Sequence, residues 1–460
     1  MSRSHDDFSG RSALSRRSLL LGLPTGLAVL GGTAGTAQAT SSAAFRTAAD
    51  YLVEFYPLWF TYYQSFLIEP NRLIGPVRVS PLYQVVVAIN VDTIYASCFV
   101  DLSAQPAVLT VPSTSLTYSV LSLDPYGTVL DTPISGPGRF ALVGPGYSGT
   151  LPSGVKRTPV AYDHTVLIFR IDKFSAFGVD QTPEARAFRR ALKMQSLSGY
   201  LQDPAGGGTR IAPEAEFSAP YKTAADALIA RRPIAFLGQL QAAVKSPKTP
   251  TLSKRQSELA ARFDRIFAAR ASSGDGPALA AGARAGHRLI IDSYLENRGP
   301  TNWIHYTNIG AWGRDVLARA AITQYIQYGN DIGAAAYYHT FRDGSGDALQ
   351  GSRPNGYALR FDSARLPEAK RFWSLTAYTP ESIELIPNPI RKYRIASYSG
   401  LQYNADGSLT IRIAREKPAG VPESNWLPVG SRPFNIMLRV YGPEGSVADN
   451  TYVPPAIRKR

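Results

Sequence analysis

A shift in composition along the chain constrains the fold more than any single motif. From position 182 to about 329 the sequence is rich in Ala, Arg, Leu and Gln, whereas the segments on either side are short apolar runs broken by Pro and Gly, as in "SGPGR" and "GPGYSG". Apolar residues in the middle block recur at helical spacing over 183–201, 223–244, 253–271, 278–295 and 314–328, with "DPAGGGT", "KSPKTPT" and "SSGDGP" as the loops between them. A helical block between two β-rich regions is therefore expected. No internal repeat of solenoid period is present, which removes that class of scaffold.

The β-rich regions can be read strand by strand. The first predicts strands at 85–88, 94–100, 107–111, 118–123, 140–143 and 165–171, and many short strands at such spacing argue for a sandwich. The second predicts strands at 337–341, 357–361, 371–378, 408–414 and 434–441, joined by "RDGSGDALQGS" and "YNADGS", which carry the Asp-Gly signals of hairpins. A sandwich of jelly-roll type suits it. Ahead of both, Phe45, Leu52, Phe55, Tyr56, Trp59 and Tyr63 mark an amphipathic helix, with a kink or interruption expected at Pro57. The fold class expected is mixed and mainly β. A chain of 460 residues is too long for one core. The division expected is an export signal at 1–39, a helix at 40–75, a sandwich at 76–181, a helical region at 182–330 and a jelly roll at 331–460.

Residues 1–39 have the pattern of a targeting segment. Arg16 and Arg17 precede a moderately apolar stretch, and small residues lead to Ala37-Gln38-Ala39, an A-x-A cleavage pattern. "SRRSLL" resembles a twin-arginine signal, so the export machinery of that route is an expected partner and the secreted or envelope compartment the expected destination. The apolar stretch is too short, and too interrupted by Pro24 and Gly, for a bilayer span, and no other segment qualifies. Cys98, the single cysteine, permits no internal disulfide, so packed cores must carry stability. The formal charge of +14 is scattered, which argues against a nucleic-acid site.

Polar residues at strand ends are the candidate chemistry. In "NVDTIY", Ile94, Ala96 and Cys98 would share one strand face and Tyr95, Ser97 and Phe99 the other, with Asn90 to Thr93 forming a leading turn. Asp92 there, with Asn90 and Tyr95 as partners, either caps its turn or serves as an acid or base in a cleft. Asp124 in "LSLDPYG", beside Tyr126, is the second carboxylate, and the two would suit glycoside hydrolysis if neighbouring strands brought them together. Arg360, Trp426 and Arg439 are candidates for holding sugar hydroxyls and rings. There is no G-x-S-x-G elbow, no paired cysteine and no H-x-x-x-H, so no nucleophilic triad and no metal site is expected, and no cofactor can be named.

The blocks "NVDTIYASCFVDLSAQPAVLTVP", "YSVLSLDPYG" and "FALVGPGYSGTLPSGV" resemble domain of unknown function 1254. "ALQGSRPNGYALRF", "RFWSLTAY", "NPIRKYRI", "LQYNADGSLTIRI" and "NWLPVGSRPFNIMLRVYGP" resemble domain of unknown function 1214, with Tyr452 where that family often has Trp. The resemblance implies an immunoglobulin-like first sandwich, a helical middle and a jelly-roll second sandwich, and it implies no reaction. Two functions stay open: a hydrolytic enzyme acting on a glycan or small polar metabolite through Asp92 and Asp124, and a noncatalytic envelope or polysaccharide-binding protein.

Overall fold

The computed structural model describes residues 33–460, with side chains from 41 onward, so most of the expected export signal lies outside the described residues. The described residues open with α1 (Thr33–Gln64), then β1 (Ile74–Pro76), β2 (Thr93–Asp101), β3 (Ala107–Val111), β4 (Tyr118–Leu123), β5 (Gly138–Val143), β6 (Lys156–Pro159) and β7 (His164–Asp172). α2 (Thr182–Ala191), β8 (Lys193–Ser196), α3 (Leu197–Gln202) and β9 (Arg210–Ala212) follow. The helical block is α4 (Tyr221–Arg231), α5 (Pro233–Val244), α6 (Lys254–Ser273), α7 (Gly276–Glu296) and α8 (Val316–Tyr325). The last region holds β10 (Ala335–Thr340), β11 (Tyr357–Phe361), β12 (Ala369–Tyr378), β13 (Arg394–Ala396), β14 (Leu409–Ala414), β15 (Trp426–Pro428), β16 (Asn435–Pro443), α9 (Gly445–Ala448) and β17 (Arg458–Lys459).

The strands form four sheets. Orders β4-β7-β2-β1-β9 and β6-β5-β3-β8 lie in the first region, and β10-β16-β12-β13 and β15-β14-β11-β17 in the last. In each region one apolar cluster draws side chains from both sheets. Ile94, Ala96, Cys98, Leu167, Phe169 and Ile171 meet Leu109, Phe140 and Leu142 in the first, and Trp373, Leu375, Leu438 and Val440 meet Leu359, Ile411 and Leu427 in the last. Three pairs are parallel, β1/β9, β5/β6 and β14/β15, so the sheets are not purely antiparallel. Helix outweighs strand across the described residues, and the fold is mixed rather than mainly β.

The helical block is organised around α1, whose aromatic face is covered by helices made much later in the chain. Tyr51 stacks on Phe263 with ring centroids 3.8 Å apart, and Trp59 Nε1 donates to Gln239 Oε1 at 2.9 Å. α7 approaches α1 so closely that a Cβ on Gly282 or Gly286 would meet the carbonyl oxygens of Phe45 or Ala49. Only glycine fits those two positions without moving a helix. Pro57 does not interrupt α1, which is a single helix through Gln64.

Two local expectations are corrected. The run 183–201 is not one helix: Leu192 turns extended (φ −63°, ψ 133°), and 193–196 pair with the free edge of β3, since an available strand edge offers that backbone more than another helical turn would. Residues 85–88 form no strand. Gln84 and Val85 N–H groups donate to Phe217 O, Gln64 Nε2 donates to Val85 O at 2.6 Å, and Ala88 has φ +54°. The backbone groups of this apolar loop are satisfied by its neighbours instead of by a ladder.

A candidate ligand chamber between two sheets

Strand alternation gives each central sheet a second face. On β7, Leu167, Phe169 and Ile171 enter their own core, while Val166, Ile168, Arg170 and Asp172 face the other way; on β2, Tyr95, Ser97 and Phe99 share that second face. On β16, Ile436, Leu438 and Val440 enter their core, leaving Met437, Arg439 and Tyr441 opposite. The two second faces line a chamber that leaves about 90 Å³ for the centres of water-sized spheres and opens to solvent at a mouth. Loop residues 85–90, Tyr83 and Phe217, the end of α1 and Ile326 to Tyr328 complete its walls.

Two guanidinium groups stand in this chamber. Arg170 is 7% exposed and donates to Asn330 Oδ1 and to Tyr328 O, each at 2.9 Å, with its guanidinium 5.8 Å from the Tyr95 ring centroid. Arg439 is 2% exposed and donates to Tyr378 Oη at 2.7 Å and to Ala88 O. Burial works against the charge on Arg439, but the surrounding tyrosine oxygens outweigh it and hold its pKa above the ordinary arginine value. Burial also pushes the Tyr378 hydroxyl up to about 12 and Tyr441 well above the usual tyrosine range, so both stay neutral donors.

The carbonyls that hold these arginines come from strained backbone. Ala88 and Tyr328 have φ of +54° and +49°, and Gln327 next to Tyr328 has φ +45°. Such conformations cost about 1 kcal/mol or more each in non-glycine residues and persist where the surroundings over-determine them. Here Gln64 supplies part of that: Gln327 Nε2 and Tyr328 Oη donate to Gln64 Oε1 at 2.8 and 2.6 Å. The strain is located at the chamber wall.

Asn90, Tyr95 and Arg439 meet at this chamber, as three of the residues singled out in the sequence. Asn90 works twice: its Oδ1 accepts from the Asp92 N–H at 2.7 Å and its Nδ2 donates to Tyr441 Oη at 2.6 Å. Asp92, 1% exposed, lies just behind. Its oxygens accept from Ser374 Oγ and Tyr398 Oη, each at 2.6 Å, and one is paired with Arg394 Nε at 2.6 Å. Asp172 is likewise paired with Arg371 through two oxygens. Both carboxylates fasten the first region to the last.

The other candidates are elsewhere. Asp124 accepts from the N–H groups of Tyr126 and Thr128 at 2.9 and 2.8 Å, a turn cap, and burial raises its pKa. Thr93 lies opposite Asp172 and Leu123 opposite Val166 on β7, so these strand ends are roughly 20 Å apart at a strand rise of about 3.3 Å per residue, and Asp92 and Asp124 lie one residue further out at each end. The expected carboxylate pair does not form, because the two strand ends point in opposite directions along β7. The Tyr126 ring lies 4.5 Å from the Arg319 guanidinium among the helices. Arg360 is exposed and paired with Asp406. Trp426 is half-buried with Nε1 donating to Ala414 O at 2.9 Å.

Arg170, Tyr337 and Tyr441 were missed in the sequence. A signal for Arg170 existed: in "VLIFRID" the period-2 partners of Arg170 are Val166 and Ile168, and a charge on the apolar face of a strand marks a second buried surface. Among the described residues no helix is long and apolar enough to cross a membrane, and no group of three or more His, Cys, Asp or Glu is placed to hold a metal ion.

Residues 70–196 match the family described as "Protein of unknown function (DUF1254)" and residues 334–445 match "Protein of unknown function (DUF1214)". No curated protein matches the chain. Its structure is similar to the crystal structure of the VPA0106 protein of Vibrio parahaemolyticus, with 18% identity and TM-score 0.57 over 91% of this chain and 100% of that one. An uncharacterized protein of Burkholderia cenocepacia aligns at 16% identity and TM-score 0.42 over 93% of this chain and 94% of that one.

Proposed function

The chain belongs to the two-domain family in which DUF1254 is followed by DUF1214, and we propose that it binds a small organic molecule in the chamber between its central sheets. The observation that carries this reading is the composition of the chamber wall. Tyr95 and Arg170 come from the first matched segment and Tyr337, Arg439 and Tyr441 from the second, so neither domain alone makes the site. A largely apolar cavity with a few convergent polar groups is the usual form of a small-molecule site.

Hydrolysis by paired carboxylates has less behind it, since Asp92 is committed to Arg394 and Asp124 to its own turn. Polysaccharide binding at Trp426 has less too, since that indole is half-buried and tied to Ala414. Titration with Nile red, a neutral environment-sensitive dye, tests the chamber. Saturable one-to-one binding is expected, lost in Val166→Trp, which fills the cavity, while Tm stays within a few degrees. Dye binding that is untouched by the filling substitution would overturn the reading.

A further inference from the structure

The lining of the chamber is graded along its length. The register sets Tyr95 beside Arg170, Ser97 beside Ile168 and Phe99 beside Val166, so the second face of the β2/β7 pair runs from polar to apolar in three steps. At the polar end Tyr337 is beside Arg439 on the β10/β16 pair, and Tyr441 and Asn90 close the wall. The apolar end reaches Leu67 and Ile68, and Leu67 at 40% exposure lies at the mouth. The cationic end is therefore the blind one.

The charge at that end is not balanced by the protein. Three charged residues line the chamber: Arg170, Arg439 and Glu216. Glu216 is exposed at the mouth and pairs with Arg210 at 2.7 Å. Among the described residues, the hydrogen-bond partners of Arg170 and Arg439 are an amide oxygen, the hydroxyls of Tyr95 and Tyr378 and two backbone carbonyls, none of them a carboxylate. Around them the hydroxyls of Tyr337 and Tyr441 accept from Asn330 Nδ2 and Asn90 Nδ2, at 2.8 and 2.6 Å, which leaves each tyrosine its proton to donate. Donors and positive charge are in excess where burial makes both costly without an acceptor.

Resting on the chamber reading above, we propose that the ligand is an amphipathic organic acid. Its carboxylate lies between Arg170 and Arg439 with the Tyr337 and Tyr441 hydroxyls around it, and its apolar part runs outward past Ile168, Val166 and Phe99. The four residue steps from Arg170 to Val166 span about 13 Å at strand rise, which sets the length of tail the wall covers. The acid enters head first, and its charge supplies the counterion the two domains do not.

Isothermal titration of the full mature chain with octanoate and with 1-octanol tests the proposal, with Nile red displacement in parallel. Octanoate is expected to bind at least about tenfold more tightly than the alcohol, the worth of one charge-assisted hydrogen bond or more. Arg170→Gln and, separately, Arg439→Gln should erase that difference while Nile red still binds; dye binding and Tm confirm that each variant is folded, and Arg170→Gln serves if Arg439→Gln is not. Equal affinity for octanoate and octanol would overturn the acid while leaving the chamber standing. Inorganic phosphate competing as well as octanoate would overturn the tail. A chain that does not bind Nile red would instead overturn the chamber itself.

Discussion

The surface joining the two β-rich regions has two ends that use the same residue types for opposite purposes. At one end Asp92 meets Arg394 and Asp172 meets Arg371, each arginine coming from the last region and each carboxylate from the first. At the other end, two strand positions from Asp172 on the same face of β7, Arg170 stands with Arg439 and neither has a carboxylate. The paired end is fully committed inside the protein. The unpaired end keeps binding capacity in reserve, and the difference is set by which side of the interface supplies the acid.

The largest expected effect comes from breaking the committed end. Arg371→Met strands the Asp172 carboxylate, 3% exposed, and should cost about 3 kcal/mol or more, read as a lower urea midpoint with the slope unchanged. Arg170→Met at the other end strands only an amide oxygen, a carbonyl oxygen and the Tyr95 hydroxyl while removing an unbalanced charge, so in the empty protein it should cost about 1 kcal/mol or less. Equal losses in the two variants would show that the ends do not differ. A third effect is a pH dependence beside Asp92. Burial lowers the Lys173 ammonium from its ordinary 10.5 to about 8, against the attraction of Asp92. Between those two values the unfolded chain holds a proton that the folded one has released, so stability should rise with pH from about 8 to 10.5. Lys173→Met should flatten that segment of the profile, and an unchanged slope would remove Lys173 from the account.

Much of the secondary structure was legible because its periods are clean. The runs 107–111, 118–123 and 357–361 return as β3, β4 and β11 with the same bounds, and Ile94, Ala96 and Cys98 do face away from Tyr95 and Phe99. The loop at 85–88 was not legible, since Val85, Val86 and Val87 favour a strand and it is partners elsewhere in the sequence, Gln64, Phe217, Gln327 and Ile383, that draw their backbone into another shape. The site was half legible for a related reason. Asn90 and Tyr95 were legible as polar partners of Asp92 at a strand entry and Arg439 as a group for binding hydroxyls, but that Arg170 lacks a carboxylate is a fact about three dimensions. Asp124, at a strand end much like that of Asp92, differs in direction along β7, and direction is set by sheet order.

The position of α1 has a consequence in time. Tyr56 hydrogen-bonds Gln324 and Trp59 bonds Gln239, so the opening helix is covered by partners about 180 to 270 residues downstream. A chain growing from its N-terminus makes this aromatic surface early and must hold it uncovered until α5, α7 and α8 have followed. The same delay reaches the chamber, because Gln64 at the end of α1 fixes both Val85 and the Gln327–Tyr328 turn. Closing of the bundle and completion of the ligand site are thus one late event, and a chain truncated before α8 would carry the first β-rich region without the wall that faces it.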